Sequence, residues 1–275
     1  MVSKEVPKVK FAVIGGSSTF SINFPRDLNR GDVCVGKEVM KFNTPYGESP
    51  PFTLFSLGER TVLTCRMHGW RRGVARADAS RQVFWVLREA GIKIIMSEGG
   101  VGSINRLLRP GDLIVPSDYL DFSMRKDVGL DGEFMLSMRQ AVCPQITKQI
   151  VCAAEDGRLG RVFDRGVYAV TDGRHFESPA EVEMLHRLGA DIVGQSMCPE
   201  VYLAREIGAC YGRLDIVVNY AEGVVKEWDY NEFTRIFYDE AACLGNILLN
   251  ALKDLEIQHC TCQDLRKPSL IKEKS

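Results

Sequence analysis

The chain reads as an α/β protein, one domain with a central β-sheet flanked by helices, and three observations point there. Short apolar runs rich in β-branched residues recur at residues 9–14, 61–65, 93–96, 166–170, 191–193 and 214–218. Stretches with helical apolar spacing stand between several of them, and Gly, Pro, Ser or Asn marks most junctions. Alternation of this kind belongs to sheets whose ligands sit at strand ends. The 275 residues, 45% of them hydrophobic, suffice to bury the core of one large domain.

Residues 9–14 (VKFAVI) form a first strand that stops at Gly15-Gly16-Ser17-Ser18. Adjacent glycines do not fit the spaced glycines of a dinucleotide fingerprint. This is either an ordinary tight turn or one whose amides and Ser17 hydroxyl meet an anion. Strands at 33–42, 52–57 and 61–65 follow, and the last delivers Arg66-Met67-His68-Gly69-Trp70-Arg71-Arg72. A guanidinium fork and an imidazole N–H suit an oxyanion; a solvated charge cluster is the plainer reading. A helix over 77–90 closes at Gly91. After the strand at 93–96, Gly99, Gly100 and Gly102 form a loop where no Cβ keeps a ligand from the main chain.

A strand at 113–116 precedes a loop-rich stretch, 117–145, and a helix over 145–159. The strand at 166–170 ends at Thr171, and Ser178-Pro179-Ala180-Glu181 has the form of a capping box with Pro at the first helical position. Phe176 before it suits stacking on a flat ring, while Glu177 is either first-turn charge or a polar partner. Residues 191–223 then read as strand, helix and strand, which sets Gln195, Ser196 and Asn219 on one sheet edge. Each of these has a bland reading as a turn or strand-end residue; their pairing on one edge favours a site. A long helix over 231–254 completes the domain, and the polar tail reads as irregular.

The formal charge is −1 and the pI about 6.5, with 35 basic and 36 acidic residues interspersed. No electrostatic footprint for nucleic acid or an anionic membrane results. No apolar run approaches the roughly 20 residues that cross a bilayer, and residues 1–10 are charged rather than signal-like, so a soluble, cytoplasmic protein is expected. Of nine cysteines, only Cys260 and Cys262 look like a pair. They lack zinc-knuckle spacing and no His cluster completes them, so no metal site is expected.

In order and spacing, Gly15-Gly16-Ser17, Asn43-Thr44-Pro45-Tyr46-Gly47, Met67-His68-Gly69, Gly100-Val101-Gly102-Ser103-Ile104, Arg109-Pro110-Gly111-Asp112 and Met197-Cys198-Pro199-Glu200-Val201 resemble the trimeric purine nucleoside phosphorylases, specifically their methylthioadenosine phosphorylase branch. The Cys260-Thr261-Cys262 ending is similar to one found in many microbial members. The resemblance implies a mixed central β-sheet flanked by helices over residues 1–256, followed by a polar C-terminal tail, 257–275. It implies a homotrimer and phosphorolysis, in which inorganic phosphate is co-substrate and no metal or organic cofactor takes part.

Carried over by position, Ser17, Arg66, His68 and Ser196 match phosphate ligands, Phe176 the stacking aromatic, Gln195 the sugar-binding position, and Glu177 and Asn219 the pair used on 6-oxopurines. His68 and Asn219 would be the catalytic residues. An Asn amide can donate to O6 and interact at N7, and an ionised Glu can accept from N1–H, a proton adenine lacks. The resemblance therefore leans to inosine, guanosine or 5′-methylthioinosine, with methylthioadenosine the alternative. The chain departs from the family at Gln195, where a methionine is usual, at Glu98 beside Gly99, and at Gly173-Arg174-His175. Met67 stands where the methylthioadenosine branch has arginine. Glu98 near an anion pocket calls for compensation by Arg71 or Arg72, or for a changed specificity. A nucleoside-binding protein without turnover and a nucleoside hydrolase are the competing readings.

Overall fold

Two strands set the architecture, β5 (Ile94–Ser103) and β11 (Cys210–Tyr220), which pair in parallel along their whole lengths. The computed structural model describes residues 5–157, 160–256 and 260–269, and the backbone of 2–3. Around the two long strands lie β1 (Phe11–Ile14), β2 (Val33–Val35), β3 (Phe52–Leu57), β4 (Arg60–Cys65), β6 (Leu113–Ile114), β7 (Asp118–Asp121), β8 (Val162–Phe163), β9 (Val167–Val170) and β10 (Ile192–Gly194). Their order is β7-β9-β10-β5-β1-β4-β3-β2, with β11 on the other edge of β5 and β6 and β8 beyond it. The sheet is mixed: β1 runs parallel to β4 and β5, whereas β10 meets β5 antiparallel.

That last pairing positions the site. Strand β1 pairs with β5 only as far as Ser97, and β10 takes up the same edge at Gly102 and Ser103. Between them the edge of β5 is open, and a crevice forms where neighbouring strands part. The glycines expected in a loop lie inside β5 instead. A Cβ at Gly99 would come 2.3 Å from the Arg213 guanidinium, and one at Gly100 would meet the Phe237 ring at 2.8 Å. They are glycines because neighbours press on the strand, and pairing with β11 keeps it extended.

Helices α1 (Arg76–Ala90), α2 (Pro144–Gly157), α3 (Pro179–Arg187), α4 (Met197–Glu206), α5 (Tyr230–Asp239) and α6 (Ala241–Asp254) cover the sheet. The capping box of α3 forms as predicted: Ser178 Oγ accepts from the Glu181 N–H at 3.3 Å, and the Glu181 carboxylate accepts from the Ser178 N–H at 2.8 Å. Gly91, at φ 80°, closes α1. The single helix predicted over 231–254 is two helices that meet at Glu240, so α5 can fold its aromatic residues over the sheet edge. Residues 158 and 159, where the reading of α2 ended, lie outside the described residues.

Helices α1 and α4 pack on one side of the sheet and α2 and α6 on the other, and β1, β4, β5 and β11 send apolar side chains to both. Part of the tail expected to be irregular is packed. Cys262 and Leu265 are buried, residues Arg266–Pro268 pair antiparallel with Phe134–Leu136, and the Arg266 guanidinium lies 3.4 Å from the Phe134 ring centroid. Composition hid this, because two buried side chains and one cation–π contact are enough to dock a polar segment. Among the described residues no helix is long and apolar enough to cross a membrane.

Candidate active site

A cavity of about 250 Å³ opens where β1 and β10 part along β5. Its lining includes Ser17, His68 and Ser196, Gly100 and Gly102 of β5, Gln195, and Phe176, Glu177 and Asn219. Seven of the eight side chains that the sequence singled out therefore meet at one place. Phe233 and Phe237 of α5 and Met67, Trp70 and Arg76 line it too.

Each side chain is aimed by a local feature. Ser17 Oγ accepts from the Gly100 N–H at 2.9 Å, which ties the turn after β1 to β5. Met67, His68 and Gly69 follow β4 with φ of 49°, 54° and 74°. Left-handed conformations at two side-chain-bearing residues cost on the order of 1–3 kcal/mol each and are held only where surroundings over-determine them. Here the backbone anchors the turn: the His68 N–H donates to Gly15 O at 2.9 Å. The ring is buried with Nδ1 2.8 Å from Glu200 Oε1. A Cβ on Gly16 would stand 2.5 Å from His68 Nε2, so only glycine lets the turn approach the imidazole.

Asn219 owes its aim to a bulge. Val217 pairs with Val101 and Asn219 with Gly102, leaving Val218 extra. Consecutive strand residues ordinarily face opposite ways, but at a bulge both can face one side, and Val218 and Asn219 both line the cavity. Asn219 Nδ2 donates to Tyr220 O at 2.8 Å. Thr171 Oγ1 donates to Glu177 Oε1 at 2.6 Å, and that carboxylate is 8% exposed. Phe176 is 51% exposed and stands edge-on to Trp228 and Phe233, at 5.7 and 6.2 Å between centroids. Gln195 Oε1 accepts from Arg76 Nη1 at 2.9 Å, and its amide lies where a Cβ on Gly173 would be. Arg76 in turn stacks 4.0 Å from the Trp70 ring centroid.

Arg66 does not join them. Its exposed guanidinium donates to Phe20 O and, at 3.4 Å, to Asn23 Oδ1. The extended Arg66 backbone and the left-handed turn after it send Arg66 and His68 different ways. Arg76 is the arginine at the cavity; as the first residue of α1 it carried no motif that could have marked it.

Behind the cavity wall lies a buried cluster of charge. Arg213 is fully buried and clasps Asp215, also fully buried, with Nε–Oδ2 2.8 Å and Nη2–Oδ1 2.7 Å. Arg213 Nη2 donates to Ser196 Oγ at 2.8 Å, and Glu200 Oε2 accepts from Ser97 Oγ at 2.8 Å and Tyr211 OH at 3.0 Å. Burial works against charge on Arg213, yet Asp215 and the Tyr168 and Tyr211 hydroxyls hold its pKa well above the ordinary value. Burial pushes Asp215 up against the pull of Arg213. Burial would raise Glu200 also, but His68 and Arg213 bring it below the usual carboxylate range.

The Glu98 carboxylate is fully buried in the turn after β1. It accepts from the N–H groups of Gly16 and Ser18, the latter at 3.0 Å, and from Thr19 Oγ1 at 2.6 Å. The anion that this turn was read to hold is thus, at those two amides, a side chain of the protein. Neither Arg71 nor Arg72 lines the cavity: Arg71 donates to Gly69 O, Glu48 O and Gln82 Oε1. The cation that presses on Gly99, beside Glu98, is Arg213. Its signal was present as two charged residues at alternate positions in an apolar run, since such residues are almost never buried unpaired.

Cys260 and Cys262 do not stand alone, as their spacing suggested. The sulfurs of Cys143, Cys210, Cys260 and Cys262 lie within 4.8 Å of one another. Linear spacing could not show a convergence that the tertiary fold makes.

A crevice between diverging strands, with an aromatic wall and a polar group beneath it, defines a small-molecule site of the α/β class. Residues 10–253 match the Phosphorylase superfamily, and the chain belongs to that family. It is 31% identical over 272 residues to the 6-oxopurine nucleoside phosphorylase of Pyrococcus furiosus, spanning 94% of this chain and 98% of that protein. It is 28% identical over 268 residues to the S-methyl-5′-thioadenosine phosphorylase of Pyrococcus horikoshii, spanning 95% and 99%. Among solved structures, methylthioadenosine phosphorylase from Schistosoma mansoni in complex with adenine shares the fold, with a TM-score of 0.75 at 22% identity over 89% of this chain and 91% of that one.

Proposed function

We propose that the protein cleaves a purine nucleoside by phosphorolysis, giving the free base and a ribose 1-phosphate, with 6-oxopurine nucleosides such as inosine, guanosine and 5′-methylthioinosine preferred. One observation carries the reading: the side chains suited to an oxyanion (Ser17, His68, Ser196) and those suited to a flat heterocycle (Phe176, Glu177, Asn219) line the same cavity. Similarity to a protein named 6-oxopurine nucleoside phosphorylase supports the preference.

In this mechanism phosphate is held by the Ser17 and Ser196 hydroxyls and by the His68 ring, which Glu200 orients from the Nδ1 side. The base stacks on Phe176, Glu177 accepts from N1–H, and the Asn219 amide meets O6 and N7. As the glycosidic bond lengthens, the sugar gains oxocarbenium character that the phosphate beneath it stabilises, and negative charge on the purine is met by Asn219. Holding both reactants in one cavity contributes up to about 7–11 kcal/mol in favourable cases. Gln195, fixed by Arg76, would face the ribose. We infer a homotrimer as the working assembly, which light scattering of the purified protein tests.

Glu98 favours a second reading. With a carboxylate already on the Gly16 and Ser18 amides, phosphate has fewer donors, and water could accept the glycosyl group instead. Purified protein incubated with inosine, methylthioinosine and methylthioadenosine, with and without phosphate, separates the readings. Base release that requires phosphate and favours the 6-oxopurines supports phosphorolysis. Release indifferent to phosphate supports hydrolysis, and thermal stabilisation without release supports a binder.

A further inference from the structure

We propose that Cys143, Cys210, Cys260 and Cys262 bind one zinc ion that fastens the C-terminal segment to the domain. The four residues come from three places far apart in sequence: the position before α2, the first residue of β11, and the segment that follows residues 257–259. Their sulfurs nevertheless gather around one point, all within 4.8 Å of one another, with Cys210 and Cys260 at 3.2 Å. Zinc–sulfur bonds of about 2.3 Å in a tetrahedron put sulfurs ~3.8 Å apart, within the span of this cluster.

The donors are all sulfur, the choice of zinc over the hard cations magnesium, calcium and manganese. Four protein ligands leave no open position, so the ion is structural rather than catalytic. Cys143, Cys210 and Cys262 are buried and Cys260 is partly exposed, which leaves a route for the ion to enter.

Polar groups stand around the ligands. Gln140 Nε2 lies 3.9 Å from Cys262 Sγ, and buried Arg205 donates from Nη1 to Cys262 O at 3.0 Å. Groups of this kind around the ligands orient them and offset their charge. Binding replaces the thiol protons with the ion and releases them to solvent, with no change of oxidation state. Cys210 and Asn219 occupy opposite ends of β11, so the ion would hold the end of that strand remote from the cavity.

The test is metal analysis of the full chain produced in zinc-supplemented medium and purified without chelator. The expected result is about one zinc per chain, with cobalt exchanged for it showing the visible bands of tetrahedral sulfur ligation. After chelation under denaturing, non-reducing conditions all nine cysteines should titrate as free thiols. Cys262→Ser should lower bound zinc by more than ~10-fold, whereas Cys34→Ser, at an exposed site elsewhere, should leave it unchanged. The wild-type measurements stand even if Cys262→Ser does not fold. Metal-free protein with nine free thiols overturns the proposal, and so does metal-free protein lacking two hydrogens for every disulfide formed.

Discussion

The aromatic wall of the cavity and the charge cluster behind its polar side are built on opposite principles. Phe176 is half exposed and touches Trp228 and Phe233 edge-on, and nothing but packing holds it. Arg213, Asp215, Glu98 and Glu200 have almost no exposure: Arg213 clasps Asp215 and donates to Ser196, Glu200 is bonded to His68 and Ser97, and Glu98 to the turn after β1. The wall can adapt to a ligand at little cost. The cluster cannot move without leaving a buried charge unpaired, so it preserves the positions of His68 and Ser196 to within the slack of its hydrogen bonds.

The comparison breaks most readily at Arg213. Arg213→Met should cost about 3–5 kcal/mol, since it strands the Asp215 carboxylate in the interior, whereas Phe176→Ala should leave stability within about 1 kcal/mol because a half-exposed ring buries little area; urea denaturation of both variants gives the contrast. If Arg213→Met is as stable as wild type, the cluster does not anchor the site.

For activity the largest effect belongs to His68. His68→Ala should lower the rate of base release in phosphate by ~10²–10³, the usual worth of one preorganised donor to an oxyanion, read from steady-state kinetics. Asn219→Asp should follow, cutting inosine cleavage by roughly 10-fold or more as a donor amide becomes a second carboxylate facing O6. Adenosine-type substrates should lose less. An unchanged ratio of 6-oxo to 6-amino turnover would remove Asn219 from the specificity argument.

A pH series sharpens the comparison from the other side. The folded pKa of Glu200 lies below its ordinary value of 4.5, so its contribution is complete above that pH and is lost as pH falls through the depressed value. Asp215, raised above 3.8, has the opposite sign: stability declines as pH rises from 3.8 through the raised value. Glu200→Gln should therefore flatten the acid arm of the stability curve measured by urea titration. The smallest effect is expected at Arg66, where Arg66→Ala should change the KM for phosphate by less than about 2-fold, the scale of an exposed charge outside the pocket.

Much of this was open to inspection in the chain. The strand ends after residues 14, 65 and 170, the capping box at Ser178 and the helix stop at Gly91 all follow from local chemistry, and the structure has them. Within the site, Ser17, His68, Phe176, Glu177, Gln195, Ser196 and Asn219 were identifiable because each stands at a strand end or in the turn after one. Arg66 was singled out for the same reason, yet it does not line the cavity. It follows a strand too, but its direction depends on the backbone dihedrals of Met67 and His68, which motif spacing does not encode.

The sequence by itself determined the α/β class, the order of elements and the set of polar groups placed at one sheet edge, because hydrophobic period and turn chemistry act over a few residues. Only the tertiary structure decided which of those groups share a cavity, that Glu98 occupies the amides of the first turn, that Arg213 answers Asp215, and that four cysteines from three segments converge. These outcomes depend on distances between residues remote along the chain, and such distances are set when the sheet closes and its core packs.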